Sequence, residues 1–227
     1  MLDFGFYNMD CMEGMKQFPD KYFDLAIVDP PYGNPNGDFA SNNGERFGGR
    51  FDRYIDRTGH RGKYIDRTGA NKKRVILDVA PGKEYFNELF RISRNQIIWG
   101  GNYFDLPAAR CFLIWRKTNV AEQFSMAMAE YAWASFNSNA KVFDYSAVGQ
   151  EGRFHPTQKP VALYKWILTN YAKQGDKILD THVGSASSLI ACYDLGFDYV
   201  GFEIDEDYYR QAKKRLEEEM AQVRFDL

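Results

Sequence analysis

The chain has 227 residues, 44% of them hydrophobic and 26% charged, with a net charge of −2. That is enough apolar content for one α/β domain, so wholesale disorder is excluded, and the near-neutral balance excludes a generic polyanion binder. Cys11, Cys111 and Cys192 show neither pairing nor metal-ligand spacing, which fits a reduced, cytoplasmic setting; the N-terminus lacks a signal-peptide pattern, and no apolar run approaches membrane-spanning length.

"FGFYNMDC" reads as a short strand ending near Asp10, followed by a helix over 11–18 that Pro19 closes. "FDLAIVD" is the next strand, and its near-continuous apolar run predicts burial on both faces, as in a parallel sheet. The character changes from Gly44 to Arg74. Ten Lys/Arg face four Asp/Glu, a local +6 that leaves −8 for the rest of the chain; six glycines and the near-repeat "RYIDRTGHRG"/"KYIDRTGANK" lie in the same stretch. Two copies are too few for a repeat fold, so residues 34–80 read as a mobile basic loop or insertion. Beyond it, "EYFNELFRIS" has helical spacing, and "NQIIWGG" and "CFLIWRK" read as strands. "VALYKWILTNYA" is a helix, "DKILDTH" a buried strand, "SASSLIACYDLG" a helix capped by Gly196, "DYVGFEID" a strand and "EDYYRQAKKRLEEEM" an amphipathic helix. This alternation predicts a mostly parallel sheet with helices on both faces, in a single domain spanning 1–227.

Two constellations carry chemistry. In "KILDTHVGSASS…YVGFEID" a strand ends at Asp180, a turn of small residues (Gly184, Ser185, Ala186) opens a helix, and the following strand ends at the acid Glu203. This is the layout of a nucleotide-binding βαβ unit, where small residues admit a ligand and the acid accepts ribose hydroxyls. The turn lacks a full GxGxxG, which favours a mononucleoside-type ligand over a dinucleotide; the bland alternative is an ordinary βαβ turn.

The second constellation is Asp29-Pro30-Pro31-Tyr32, which follows the buried strand directly. Proline brings no N–H and holds the residue before it extended. What remains are acceptors, the Asp29 carboxylate and the Pro30 carbonyl, beside the flat ring of Tyr32. Together they suit a planar ligand bearing an amino group. Acceptors on its hydrogens make the nitrogen more nucleophilic and stabilise the charge that develops on attack.

"DPPY" with its preceding "NMDCMEGMKQFPDKYFDLAIV", the later "HPTQKPVAL" and "ILDTHVGSASS" resemble the S-adenosylmethionine-dependent amino-methyltransferases of DNA. The order, catalytic tetrad first and cofactor turn last, is similar to their β class. The resemblance implies a Rossmann-like methyltransferase sheet in circularly permuted order. It implies that Asp29, Pro30, Pro31 and Tyr32 hold the target amine, with Asp29 also bordering the cofactor. Asp180, His182, Gly184 and Ser185 would lie along the methionine end of S-adenosyl-L-methionine, with Glu203 on the ribose, Asp10, Cys11 and Ile204 around the adenine, and Thr157 and Lys159 near the cofactor carboxylate. The chain departs from the usual F-x-G-x-G turn with His182 and Ala186. A neutral histidine there stacks as an aromatic ring does; a charged one repels the sulfonium.

The expected reaction is methylation of the exocyclic N6 of adenine in DNA, with cytosine N4 as the alternative. RNA or single-stranded DNA is a second rival substrate, and a catalytically silent nucleic-acid-binding protein of the same fold is the alternative from another class. A base in duplex DNA must be flipped out to be reached. Arg46, Arg50, Arg53, Arg57, Arg61, Lys63 and Arg67 are expected on DNA phosphates, and Arg116, Lys117 and Asn119 in a target-recognition region over 116–150. That region is short, which points to a short site or to help from a second subunit in a homodimer. No metal is expected, and a partner restriction nuclease is compatible with this reading.

Overall fold

The computed structural model describes residues 1–32, 80–123, 127–147, 153–155 and 157–222. Its strands are β1 (Gly5–Asn8), β2 (Phe23–Val28), β3 (Ser93–Trp99), β4 (Cys111–Lys117), β5 (Ala129–Ala134), β6 (Lys141–Tyr145), β7 (Lys177–Asp180) and β8 (Asp198–Glu203). They form one sheet in the order β1-β8-β7-β2-β3-β5-β4-β6. Strand β5 pairs antiparallel with both its neighbours, and every other pairing is parallel. The helices are α1 (Cys11–Met15), α2 (Lys83–Ile92), α3 (Val161–Tyr171), α4 (Ser187–Leu195) and α5 (Glu206–Ala221).

The apolar run of β2 is buried on both faces, as its composition predicts. Leu25 and Ile27 pack with Leu163, Ile167 and Leu168 of α3, whereas Ala26 and Val28 pack with Tyr85, Phe86 and Leu89 of α2. That two-residue alternation puts α1 and α2 on one face of the sheet and α3 and α4 on the other. The predicted doubly covered α/β sheet is therefore present. The helix expected over 11–18 stops at Met15, because the chain tightens into i→i−3 bonds from Gln17 to Gly14 and from Phe18 to Met15. Gly196 adopts φ 71°, and Phe197 N–H donates to the Cys192 carbonyl, the αL termination expected there. No helix among the described residues is long and apolar enough to cross a membrane.

Chain order and sheet order differ in a way that matters for the site. Strand β2, early in the chain, pairs with β7, late in the chain, through Ala26↔Leu179. The segments leaving their C-terminal ends, Asp29–Tyr32 and Thr181–Ala186, are thereby brought side by side. In open α/β sheets, ligands bind beyond the carboxyl ends of strands where the strand order reverses.

Candidate active site

Strand β2 releases Asp29 at this carboxyl edge. Tyr32 Oη donates to Asp29 Oδ1 at 2.7 Å, and Lys159 Nζ pairs with Asp29 Oδ2. The Tyr32 ring stacks on Tyr103 with centroids 4.9 Å apart and planes at 17°, and Phe104 meets it edge-on at 6.2 Å. Gly100 closes the pocket around the ring. Its φ is +65°, and a Cβ built there would stand 2.1 Å from Tyr32 Cε1. Burial, with the Asp29 carboxylate beside it, holds the Tyr32 hydroxyl protonated well above the usual phenol range. Tyr32 is therefore a neutral donor at any working pH.

Lys159 is 3% exposed and also meets Glu130 Oε2 at 3.2 Å, while Lys117 Nζ meets Glu130 Oε1 at 2.7 Å. Burial alone would lower the pKa of Lys159; Asp29 and Glu130 more than offset it and hold the ammonium above its usual range. Burial would raise the Glu130 carboxyl, and the two lysines reverse that. The result is a continuous chain of charge-assisted contacts, Lys117–Glu130–Lys159–Asp29–Tyr32.

The other half of the edge is built by β1, β7 and β8. Asp10 caps α1, accepting from the N–H groups of Met12 at 2.8 Å and Glu13 at 3.2 Å. Met9 N–H and Asn8 Nδ2 both reach the Glu203 carbonyl, which pins Asp10 and Cys11 beside Glu203 and the exposed Ile204. Burial, then Asp10, pushes the Cys11 thiol up to about 12, so it is not a nucleophile. The Glu203 carboxylate accepts from Gly184 N–H and Asp205 N–H, each at 2.9 Å. Asp180 accepts from His182 N–H at 2.9 Å and from Ser188 Oγ at 2.5 Å, and burial pushes its carboxyl up to about 7.

His182 rests edge-on against Tyr85, with centroids 5.4 Å apart, and shares a hydrogen bond of 2.9 Å between its Nδ1 and Thr181 Oγ1. Burial lowers its pKa to about 4. The imidazole is thus neutral at physiological pH and sets no cation in the turn. Ala186 is fully buried with φ 63°, a left-handed conformation that strains any residue with a Cβ. Replacing Ala186 with Gly is expected to raise stability by about 1 kcal/mol. The thermal midpoint should then rise by about 2–4 °C; an unchanged or lower midpoint would show that the turn carries no such strain.

Of the sequence-selected residues, Asp10, Cys11, Asp29, Pro30, Pro31, Tyr32, Asp180, His182, Gly184, Ser185, Glu203 and Ile204 all lie along this one edge. Lys159 is turned to Asp29 rather than to the Gly184 turn. Thr157 is exposed, its Oγ1 3.2 Å from His155 Nδ1. His155, to which sequence reasoning gave no chemistry, covers the turn: its Cε1 is 3.2 Å from a Cβ built at Gly184. Lys117 does not reach outward as a DNA contact would, since it is 8% exposed and held by Glu130. Asn119 Oδ1 accepts from Ala147 N–H, and Arg116 forms a two-bond pair with Asp144. Within 116–150, β5 and β6 belong to the sheet itself. Arg46, Arg50, Arg53, Arg57, Arg61, Lys63 and Arg67, with most of the 34–80 segment, lie outside the described residues. Sequence reasoning missed Glu130, Tyr103 and Gly100. The doubled glycine after the "IIW" strand was a signal for the last two; nothing local marked Glu130.

A family model described as DNA methylase, of the N6/N4 type, matches residues 96–214, just over half of the chain. The type II methyltransferase M.HinfI of Haemophilus influenzae is 25% identical over an alignment 252 residues long, which covers 92% of this chain and 67% of that protein. Among solved structures, the M1.HpyAVI–SAM complex aligns with a TM-score of 0.56 and 19% identity, covering 92% of this chain and 98% of that one. The cytosine-N4-specific PvuII DNA methyltransferase aligns with a TM-score of 0.56 at 12% identity, covering 97% and 91%. At these identities the two structures speak to the fold.

Proposed function

Because the chain belongs to the N6/N4 DNA methylase family, the S-adenosylmethionine-dependent amino-methyltransferases, we propose that it transfers a methyl group to the N6 amine of an adenine flipped out of DNA. The observation that carries this reading is the Asp29–Tyr32 arrangement at the end of β2. One carboxylate and one aromatic ring are fixed together there, next to a βαβ turn whose acid, Glu203, is held by backbone N–H groups.

When bound, S-adenosylmethionine would supply an electrophilic methyl carbon on its sulfonium, the S–C electron pair staying with sulfur as the amine gains the methyl group in exchange for a proton. The chain's residues fit such a group. The neutral His182 brings no positive charge to the turn, Glu203 has lone pairs left for ribose hydroxyls, and the exposed Ile204 beside Asp10 and Cys11 offers an apolar rim for an adenine. In this reading Asp29 and the Pro30 carbonyl accept the amine hydrogens. Each Asp29 oxygen already serves one donor, Tyr32 or Lys159, and each keeps a second lone pair for the amine. Holding the hydrogens on acceptors localises the nitrogen lone pair and stabilises the positive charge that gathers there. Tyr32, kept neutral by burial, borders the base with the ring that Tyr103 stacks on. The flipped base is needed because a paired amine is inaccessible.

Adenine is favoured over cytosine by the aspartate at position 29, on family resemblance. The test is transfer of labelled methyl to unmodified DNA, followed by nucleoside chromatography, with Asp29→Ala as the control. Label in N6-methyl-2′-deoxyadenosine that disappears with Asp29→Ala supports the reading. Label in N4-methylcytosine changes the base and keeps the site, and no label despite cofactor binding refutes the proposal.

A further inference from the structure

Two lysines are buried against Glu130, Lys159 at 3% and Lys117 at 8% side-chain exposure, and Lys159 also meets Asp29. Two carboxylates face them, Asp29 and Glu130, so the four groups sum to zero charge. Glu130 is the second residue of β5, the antiparallel strand inserted between β3 and β4. That reversed direction brings a residue from the start of a strand to the edge where the other strands end. Its two oxygens are divided between the two lysines. Buried ammonium groups demand compensation, because an unpaired charge in a protein interior is very unfavourable. If Glu130 were neutral, the whole demand of Lys159 would fall on Asp29, one of whose oxygens already serves Tyr32.

We propose that Glu130 is a positioning residue for methyl transfer: it takes up the charge of Lys159 and Lys117, leaving Asp29 the negative charge and the lone pairs that the target amine needs. The inference rests on the reading of Asp29 as the amine's acceptor. During transfer positive charge collects on the amine nitrogen. Within this four-residue cluster a zero sum tolerates that charge better than a net +1, which opposes it. The role acts on the transition state more than on ground-state contact with DNA, so its signature is a fall in kcat with little change in KM.

The experiment uses the full chain, labelled S-adenosylmethionine and unmodified DNA, with kcat and KM measured separately and cofactor binding followed by calorimetry. Glu130→Gln should lower kcat about 10- to 100-fold while the KM for DNA stays within about threefold. Glu130→Asp, which keeps the charge, should stay within about threefold of the unsubstituted kcat. The pair Lys117→Met/Glu130→Gln returns the cluster to neutrality and should recover at least about fivefold over Glu130→Gln alone. A merely structural role predicts the opposite, since the pair would then be slower than the single variant. Should Glu130→Gln fail to melt cooperatively, Glu130→Asp and the charge-balanced pair decide the matter on the same criteria. Unchanged kcat in Glu130→Gln, or a pair slower than the single variant, overturns the proposal. Absence of transfer by the unsubstituted protein overturns the reading of Asp29, and this proposal with it; normal transfer with an indifferent Glu130→Gln overturns this proposal alone.

Discussion

Replacing Lys159 with Met is expected to destabilise the protein by about 3–5 kcal/mol. The size follows from burial. Lys159 is 3% exposed, bridges Asp29 and Glu130, and lies 5.2 Å above the Trp99 ring. Among the described residues, its removal leaves Glu130 paired with Lys117 and Asp29 with the Tyr32 hydroxyl, so a carboxylate that is 15% exposed loses its counter-charge. Met fills much of the volume, which isolates the electrostatic loss from cavity formation. In thermal or urea melts the midpoint should fall by roughly 10 °C or the equivalent denaturant. The exposed pair Lys214–Glu218 provides the contrast: its Nζ–Oε1 distance is 3.7 Å at 77% and 63% exposure, so Lys214→Met should leave the midpoint unmoved. Similar midpoints for the two variants would show that the Lys159 cluster is not electrostatically coupled to the fold.

His182→Phe is expected to change how stability depends on pH by about 3 kcal/mol between pH 6.5 and 4. In the folded protein burial lowers the His182 pKa from 6.5 to about 4. Its stabilising contribution is complete above 6.5 and is lost as pH falls through 4, because the unfolded chain takes up the proton first. Asp180 works in the opposite sense. Burial raises its carboxyl from 3.8 to about 7, so its contribution is complete below 3.8 and is lost as pH rises through 7. Between about pH 4 and 6.5 the two slopes offset each other in the unsubstituted protein. Phe at position 182 removes one of them. The variant should then lose about 1.4 kcal/mol for each pH unit from 4 towards 7, relative to a nearly flat contribution in the parent. Urea melts at half-unit intervals across that range measure this directly; parallel curves for the two proteins would mean that His182 titrates normally when folded. The same ring swap restores the aromatic residue usual at this position of the turn. Loss of an imidazole that is already neutral should therefore leave cofactor affinity unchanged near pH 7.

The elements that the sequence announced share one property: their evidence is local. The run "FDLAIV" is apolar at successive positions, and Gly196 stops a periodic segment, so β2 and the end of α4 are written in neighbouring residues. Strands β5 and β6 are not. "AEYAWA" and "KVFDY" carry little alternation, and β6 is an edge strand exposed or half-exposed along its length, so only pairing with β4 identifies it as sheet. A stretch expected to read DNA thus contains two strands of the sheet, and Lys117 within it serves Glu130.

The residue types of the site were available from the chain alone, because Asp-Pro-Pro-Tyr and the small-residue turn before a distant acid are short motifs with their chemistry inside them. The nearness of those motifs was not. Asp29 and Asp180 are far apart in sequence and become neighbours because β2 pairs with β7, a choice made by long-range burial of apolar strand faces. The protonation states also belong to the tertiary structure: His182 is neutral and Asp180 titrates near 7 because burial strips water from both. So does the partnership of Lys159, for which sequence offered a cofactor carboxylate and the fold supplied Asp29 and Glu130. Residue order determined which chemical groups this protein owns. The packing of a mostly parallel sheet decided which of them meet, since charge compensation and desolvation depend on distance in space and not along the chain.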